Sequence, residues 1–285
     1  MDKKMLKGID VSAHNGVVDY KKVADAGYEF VIIRAGCGMR PDTHYKANLN
    51  GALSAGLKVG CYWFAEWFAA PEEEAKLFWD TIAEDYRDMT CGIWYDVEHH
   101  RNIISDKLNP QARVTGICRA LDTLKALCKE AQNADFIDLD FNVSSRVGLY
   151  TSAAFPKGYL GEDFRLASYP YWVAHYGVDK PGYTSRYDIW QTSGSGTVPG
   201  VKTRCDLDLM DPVFLNTGTT DEVPSGWKED PSYMISEAAF LVQDRVVDFL
   251  RDVMAGNTKE TVPDSVGRIT REVLVELMTE GIKPE

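Results

Sequence analysis

From residue 6 to about residue 135, short apolar runs alternate with longer stretches whose apolar positions recur at helical spacing. The runs Leu6–Val11, Phe30–Ala35, Lys58–Phe64 and Gly92–Glu98 predict strands, and Tyr20–Ala26, Tyr45–Ala55, Pro71–Asp88 and Pro110–Ala131 predict helices between them. In the third helix Ala75, Phe78, Trp79 and Ile82 share one face, and in the fourth Val114, Ile117, Leu121, Leu124 and Leu127 do so. Pro71 and Pro110 stand where the first helical turn tolerates proline, because the missing N–H has no acceptor there. Such alternation predicts parallel strands joined by crossover helices.

Beyond residue 135 the rhythm changes. Val147–Thr151, Tyr171–Tyr176, Tyr187–Thr192 and Asp206–Met210 still predict strands, but the intervals are rich in Gly, Pro and Ser. An α/β barrel whose first half is strand and helix, and whose last strands are joined by loops, fits this pattern. Residues 1–217 form the predicted barrel and 218–229 a segment of linker composition. In 230–285 two amphipathic helices are predicted, one carrying Ile235, Val242, Val246, Phe249 and Val253, the other Val266, Ile269, Val273 and Leu277. Two helices bury such faces poorly alone, so they dock on the barrel, pair between protomers or bind another surface.

Composition narrows the function classes. Across 285 residues, 43 acidic against 31 basic side chains give a formal net charge of −12, which offers no footprint for nucleic acid or an anionic membrane. No run approaches the roughly 20 apolar residues of a membrane span. The first residues, Met1 to Gly8, carry charges but no apolar signal core, which predicts synthesis in the cytoplasm without a signal peptide. Six cysteines show no C-x-x-C spacing and lie mostly in apolar runs, so reduced, structural thiols are expected.

The chemistry concentrates in Gly92-Ile-Trp-Tyr-Asp-Val-Glu98. Alternate residues of a strand leave on one face, so Asp96 and Glu98 project together with α-carbons roughly 7 Å apart. Paired carboxyls at a strand end suit glycoside hydrolysis, where one protonates the leaving oxygen and the other stabilises positive charge at the sugar carbon. Asp10 closes the first predicted strand, and Asp206 opens the last, which an antiparallel last strand explains. In parallel α/β barrels the active site lies at the carboxyl ends of the strands. Each residue has a structural alternative. Asp10 suits a turn, Asp206 competes with Asp208, Arg34 suits a buried ion pair as well as a substrate contact, and Trp172 suits a core as well as a sugar ring. The His99-His100 pair reads better as a loop than as a metal site, because adjacent side chains diverge and no distal ligand motif accompanies them. Gly194–Gly200 reads as a hairpin turn, since it lacks the Lys-Ser/Thr of a phosphate loop.

The first 215 residues or so resemble the glycoside hydrolase family 25 lysozymes, the muramidases of bacteria and phages. The strings that carry the resemblance are Gly8-Ile-Asp-Val-Ser12, Phe30-Val-Ile-Ile-Arg-Ala-Gly36, Gly60-Cys-Tyr-Trp-Phe-Ala65 and Trp94-Tyr-Asp-Val-Glu98, followed by Gly148-Leu-Tyr-Thr-Ser152, Tyr171-Trp-Val-Ala-His-Tyr176, Ile189-Trp-Gln191 and Asp206-Leu-Asp208. The resemblance implies an irregular TIM-like (β/α)5(β)3 barrel that cleaves the β-1,4 bond between N-acetylmuramic acid and N-acetylglucosamine, of phage or prophage endolysin type, acting on the cell wall after release. It implies Asp10, Asp96, Glu98 and Asp206 as the catalytic set, with Glu98 as general acid and Asp96 ionised, and Tyr62, Tyr150, Trp172 and Gln191 lining the glycan groove. It implies no cofactor and no metal. Substrate-assisted attack by the acetamido oxygen and inversion through a water held by Asp10 or Asp206 both remain open. Peptidoglycan glycan strands are the implied partner, with self-association through the C-terminal helices as one role for the tail. Two departures stand out: Trp63 occupies a position where many members carry histidine, and the tail matches none of the choline-binding, LysM or SH3-like wall-binding repeats. A chitinase-like hydrolase and a catalytically silent glycan-binding barrel are the competing readings; the former is weakened by Cys91 and Trp94, which stand where its acidic strand motif needs carboxylates.

Overall fold

The computed structural model describes residues 4–66, 70–98, 109–135, 143–155, 166, 168–182 and 187–216. The chain divides into two units, Met1–Asp221 and Glu222–Glu285. The two tail helices predicted from sequence, and the His99-His100 pair, lie outside the described residues.

Nine strands form one sheet: β1 Leu6–Val11, β2 Phe30–Cys37, β3 Arg40–Pro41, β4 Lys58–Phe64, β5 Ile93–Asp96, β6 Val147–Ser152, β7 Tyr171–Ala174, β8 Ile189–Gly196 and β9 Cys205–Met210. The order β1-β9-β8-β7-β6-β5-β4-β2-β3, with an added β1–β2 pairing, closes eight of them into a barrel and leaves the two-residue β3 as a hairpin arm on β2. Pairings from β1 through β8 around the barrel are parallel, whereas β9 runs antiparallel to both neighbours. Four helices connect the early strands: α1 Tyr20–Asp25, α2 Tyr45–Ser54, α3 Pro71–Ile82 and α4 Pro110–Asp135. This is the mixed α/β barrel expected from the strand and helix rhythm. Among the described residues no helix is long and apolar enough to cross a membrane.

Strand alternation divides the apolar residues into two cores. Ile9, Val11, Val31, Ile33, Val59, Cys61, Ile93, Tyr95, Val147 and Leu149 face outward against the helices, where they meet Phe78, Ile82, Ile117, Leu121 and Leu124. The alternate positions Phe30, Ile32, Trp94, Trp172, Ile189 and Met210 fill the barrel interior with Phe214. Gly8 leaves room for this filling: a Cβ there would lie 2.2 Å from the Phe30 ring. The filled interior gives the carboxyl-end rim a solid floor, which makes that rim a shallow cup rather than a pore.

Several boundaries differ from the sequence reading. The helix expected over Pro71–Asp88 ends at Ile82, and a 3-10 turn at Tyr86–Asp88 brings Tyr86 back onto Trp79, ring centroids 5.4 Å apart. The last helix continues past Ala131 to Asp135. Strand β5 stops at Asp96, so Glu98 stands beyond the regular ladder, although the Val97 N–H still donates to the Tyr150 carbonyl at 2.9 Å. The Gly-rich stretch after Gln191 is partly strand, pairing Gly196 with Cys205 through two register shifts that loosen the hairpin. All six cysteines are free thiols, and Cys61, Cys91, Cys128 and Cys205 are buried.

Candidate active site

The carboxyl-end rim gathers acids from three strands. Asp10 lies near the end of β1, Asp96 ends β5, and Asp206 sits near the start of β9. Because β9 is antiparallel, its beginning lies beside the end of β1, and Asp206 pairs directly with Asp10. Glu98 follows β5 by two residues and keeps the side on which Asp96 projects, since the intervening Val97 turns into the outer core. A cavity of about 170 Å³ is lined by all four acids, and by Tyr62, Tyr150, Trp172 and Gln191. The structure therefore brings together every residue that the sequence singled out for the groove.

Two further lining residues, Phe64 and Tyr176, were not assigned from sequence. Strand alternation points to both: Phe64 follows Tyr62 by two positions, and Tyr176 follows Trp172 by four. A second cavity, of about 580 Å³, shares Glu98, Tyr150 and Tyr176 with the first and is otherwise lined largely by apolar residues such as Ala153, Ala154, Phe155 and Ala174, together with His175.

A hydrogen-bond relay holds one wall. Tyr150 donates its hydroxyl to Gln191 Oε1 at 2.9 Å, Tyr176 donates to the same oxygen, and Gln191 Nε2 donates to Asp10 Oδ2 at 2.7 Å. Two hydroxyl donors on the amide oxygen leave only the NH2 to face the carboxylate, so the amide orientation is determined by its neighbours. Trp172 is 1% exposed, packs against Tyr62, Trp94 and Tyr150, and donates its indole N–H to Asp208 Oδ1 at 2.9 Å. Its ring is thus the floor of the cavity rather than an open stacking platform. Tyr176, at 51% exposure, presents the open aromatic surface.

Arg34 resolves toward an ion pair: its Nε lies 2.7 Å from Asp42 Oδ2. Asp42 also accepts the backbone N–H groups of Ala13 and His44, tying the segment after Asp10 to the β2 end. Asp42 is accordingly held below the usual carboxylate range, its hydrogen bonds and Arg34 outweighing partial burial.

The acids themselves are pushed the other way. Burial raises Asp96 well above the ordinary value, the Glu98 and Asp206 charges add to it, and the Arg34 charge opposes it. Burial also raises Asp10, with Asp208 and Asp206 adding repulsion while the Gln191 hydrogen bond lowers it. Asp206 is raised by burial, and its contact with Asp10 lowers it. Burial and the neighbouring carboxylates thus work against the ionised form of Asp96, while Arg34 works for it. Buried carboxyls that line one cavity repel one another, so their titrations are linked.

The Glycosyl hydrolases family 25 profile matches residues 9–201, a span that contains Asp10, Asp96 and Glu98 and stops just short of Asp206. The chain is 32% identical over 215 residues to the autolytic lysozyme of Clostridium acetobutylicum, a match covering 75% of this chain and 58% of that protein. It is 29% identical over 212 residues to lysozyme M1 of Streptomyces globisporus, covering 70% of this chain and 66% of that one. The chain thus spans somewhat less than two thirds of the length of either relative. Among solved structures, the bacterial lysozyme from Streptomyces coelicolor superposes with a TM-score of 0.63 at 26% identity, covering 76% of this chain and 98% of that one. With the matched span running from β1 through β8, this chain belongs to glycosyl hydrolase family 25.

Proposed function

We propose that the chain hydrolyses the β-1,4 bond between N-acetylmuramic acid and N-acetylglucosamine in peptidoglycan. One observation carries the reading: Glu98 lies at the junction of the two cavities, lining both. A bond between two sugars seated in adjoining spaces places its bridging oxygen at that junction, where an acid is needed. In this reading Glu98 protonates the leaving oxygen as the C1–O bond breaks.

Asp96 supplies the second role. Its Oδ1 is buried in the cavity wall and has no hydrogen-bond donor among the described residues. An unpaired buried acceptor is costly, and the N–H of a 2-acetamido group would satisfy it. That bond aims the acetamido oxygen at C1, favouring substrate-assisted attack and retention over direct attack by water. It also favours the ionised form of Asp96, leaving proton donation to Glu98. Water then attacks the cyclic intermediate at C1, giving its proton to Glu98. Asp10, fixed by Gln191, and Asp206 hold the sugar hydroxyls and keep the cavity negative, which favours the positively charged transition state.

Digestion of purified peptidoglycan, with mass analysis of the released ends, tests the reaction. New reducing muramic acid termini are expected; glucosaminidase or amidase products would overturn the assignment. For residues 230–285 we propose a wall-targeting or self-associating role, motivated by two amphipathic patterns in the sequence. Deleting residues 225–285 is expected to weaken wall binding or lower the native mass beyond the loss of the segment itself. Binding and oligomeric state both unchanged would leave the tail without either role.

A further inference from the structure

Asp208 lies below Asp206 on the inward side of β9 and is 2% exposed. It takes no part in lining the cavity, and the mechanism above makes no use of it. One oxygen, Oδ1, accepts the Trp172 indole N–H at 2.9 Å. The other, Oδ2, is buried with no hydrogen-bond partner among the described residues. The carboxyl nevertheless reaches that of Asp10 across the β1–β9 pair. Two ionised carboxylates offer each other no proton, so this contact is repulsive unless one of them is protonated.

We propose that Asp208 is a positioning residue that keeps one proton between its free oxygen and Asp10 while its other oxygen holds Trp172. The wall of the cavity then carries one negative charge where the sequence suggests two. The chain Trp172–Asp208–Asp10–Gln191 becomes a continuous line of satisfied hydrogen bonds from the floor to the rim. It fixes the orientation of Asp10 and the height of the indole on which the sugar-binding space rests.

The surroundings favour one proton retained by the pair, since burial raises both carboxyls and their mutual contact raises Asp10 while lowering Asp208. Burial pushes the Asp208 carboxyl up to about 8, with the Asp206 charge adding to this, while the Trp172 and Asp10 hydrogen bonds oppose it. The groups facing it are Asp10 from β1, Asp206 from its own strand, and the neutral Trp172 from β7 and Gln191 from β8, the latter its register partner. Those named charges are both negative.

Linkage supplies the test. A buried acid whose folded value is raised contributes stability that is present below its unfolded value and lost as pH rises through the folded one. Asp208→Asn presents an amide N–H to Asp10 at every pH and keeps an oxygen for Trp172. Its stability advantage over the wild type, measured by denaturant unfolding between about pH 4 and pH 9, is expected to grow up to about pH 8 and then level off. An advantage that does not change with pH would overturn the proposal.

The kinetic arm rests on the hydrolase reading. Asp208→Leu removes both bonds and is expected to lose about 100-fold in kcat, from displacement of Asp10 and Trp172, with a smaller change in KM. Asp208→Asn is expected to restore most of that loss. Equal losses in the two variants would count against the shared proton. Failure of the hydrolase reading itself looks different: the wild-type protein releases no muramic acid ends at any pH, while the stability comparison still reports the proton.

Discussion

Glu98→Gln is expected to lower kcat on peptidoglycan by about 10³-fold while leaving KM, the circular dichroism spectrum and the melting temperature close to those of the parent. The amide matches the carboxyl in shape but has no acidic proton to give. Glu98 stands just past the end of β5, on the lip between two cavities, and its backbone is anchored by the Val97–Tyr150 bond. A substrate with an acidic phenol as leaving group needs no protonation, so the variant should recover much of its rate on such an aryl glycoside. Turnover on peptidoglycan near the parent rate would mean that a different group donates the proton.

Asp96→Asn is expected to move activity and stability in opposite directions. Activity falls by about 10²- to 10³-fold, because a neutral amide stabilises a developing cation poorly and no longer accepts the acetamido N–H with full strength. Stability at pH 7 rises by a few degrees of melting temperature. The sign follows from burial: the Asp96 carboxyl is raised in the folded protein, so the folded state loses stability relative to the unfolded one as pH climbs above the ordinary carboxylate value. Removing the charge removes that loss, and the gain should vanish near pH 3, where both states hold the proton. Kinetics at pH 6 with melting curves at pH 3 and pH 7 would check both halves. A variant less stable than the parent at pH 7 would show that Asp96 is held by compensating bonds rather than strained by burial. The opposed effects are those of a charge kept for chemistry at a cost in stability.

Both outcomes depend on groups that the sequence exposed unevenly. The Asp96 and Glu98 pairing was legible because the two-residue period of an extended chain is local and needs no partner strand. Phe64 and Tyr176 obey the same period and were open to the same reasoning. Asp10 and Asp206 were recognised as strand-end acids, but their contact arises from β9 turning back against β1, which links residues 196 positions apart. Gln191 and Trp172 were expected in the groove through family resemblance. That one bridges Tyr150 to Asp10, and that the other is a sealed floor bonded to Asp208, depends on side chains meeting across the barrel. Asp208 in particular reads in sequence only as a rival to Asp206; its burial separates the two.

By itself the amino-acid order determined the strand and helix rhythm, the α/β class, the change of rhythm after residue 135 and the common side of Asp96 and Glu98. All of these follow from periods of two or 3.6 residues that each segment carries alone. Tertiary structure decided which acids meet, how deep each one lies and where the protons go. Closing the barrel packs Phe30, Trp94 and Trp172 beneath the rim and excludes water from one side of the carboxyls. Proton affinity depends on that exclusion and on charges brought in from other strands, and both exist only once distant segments have come together.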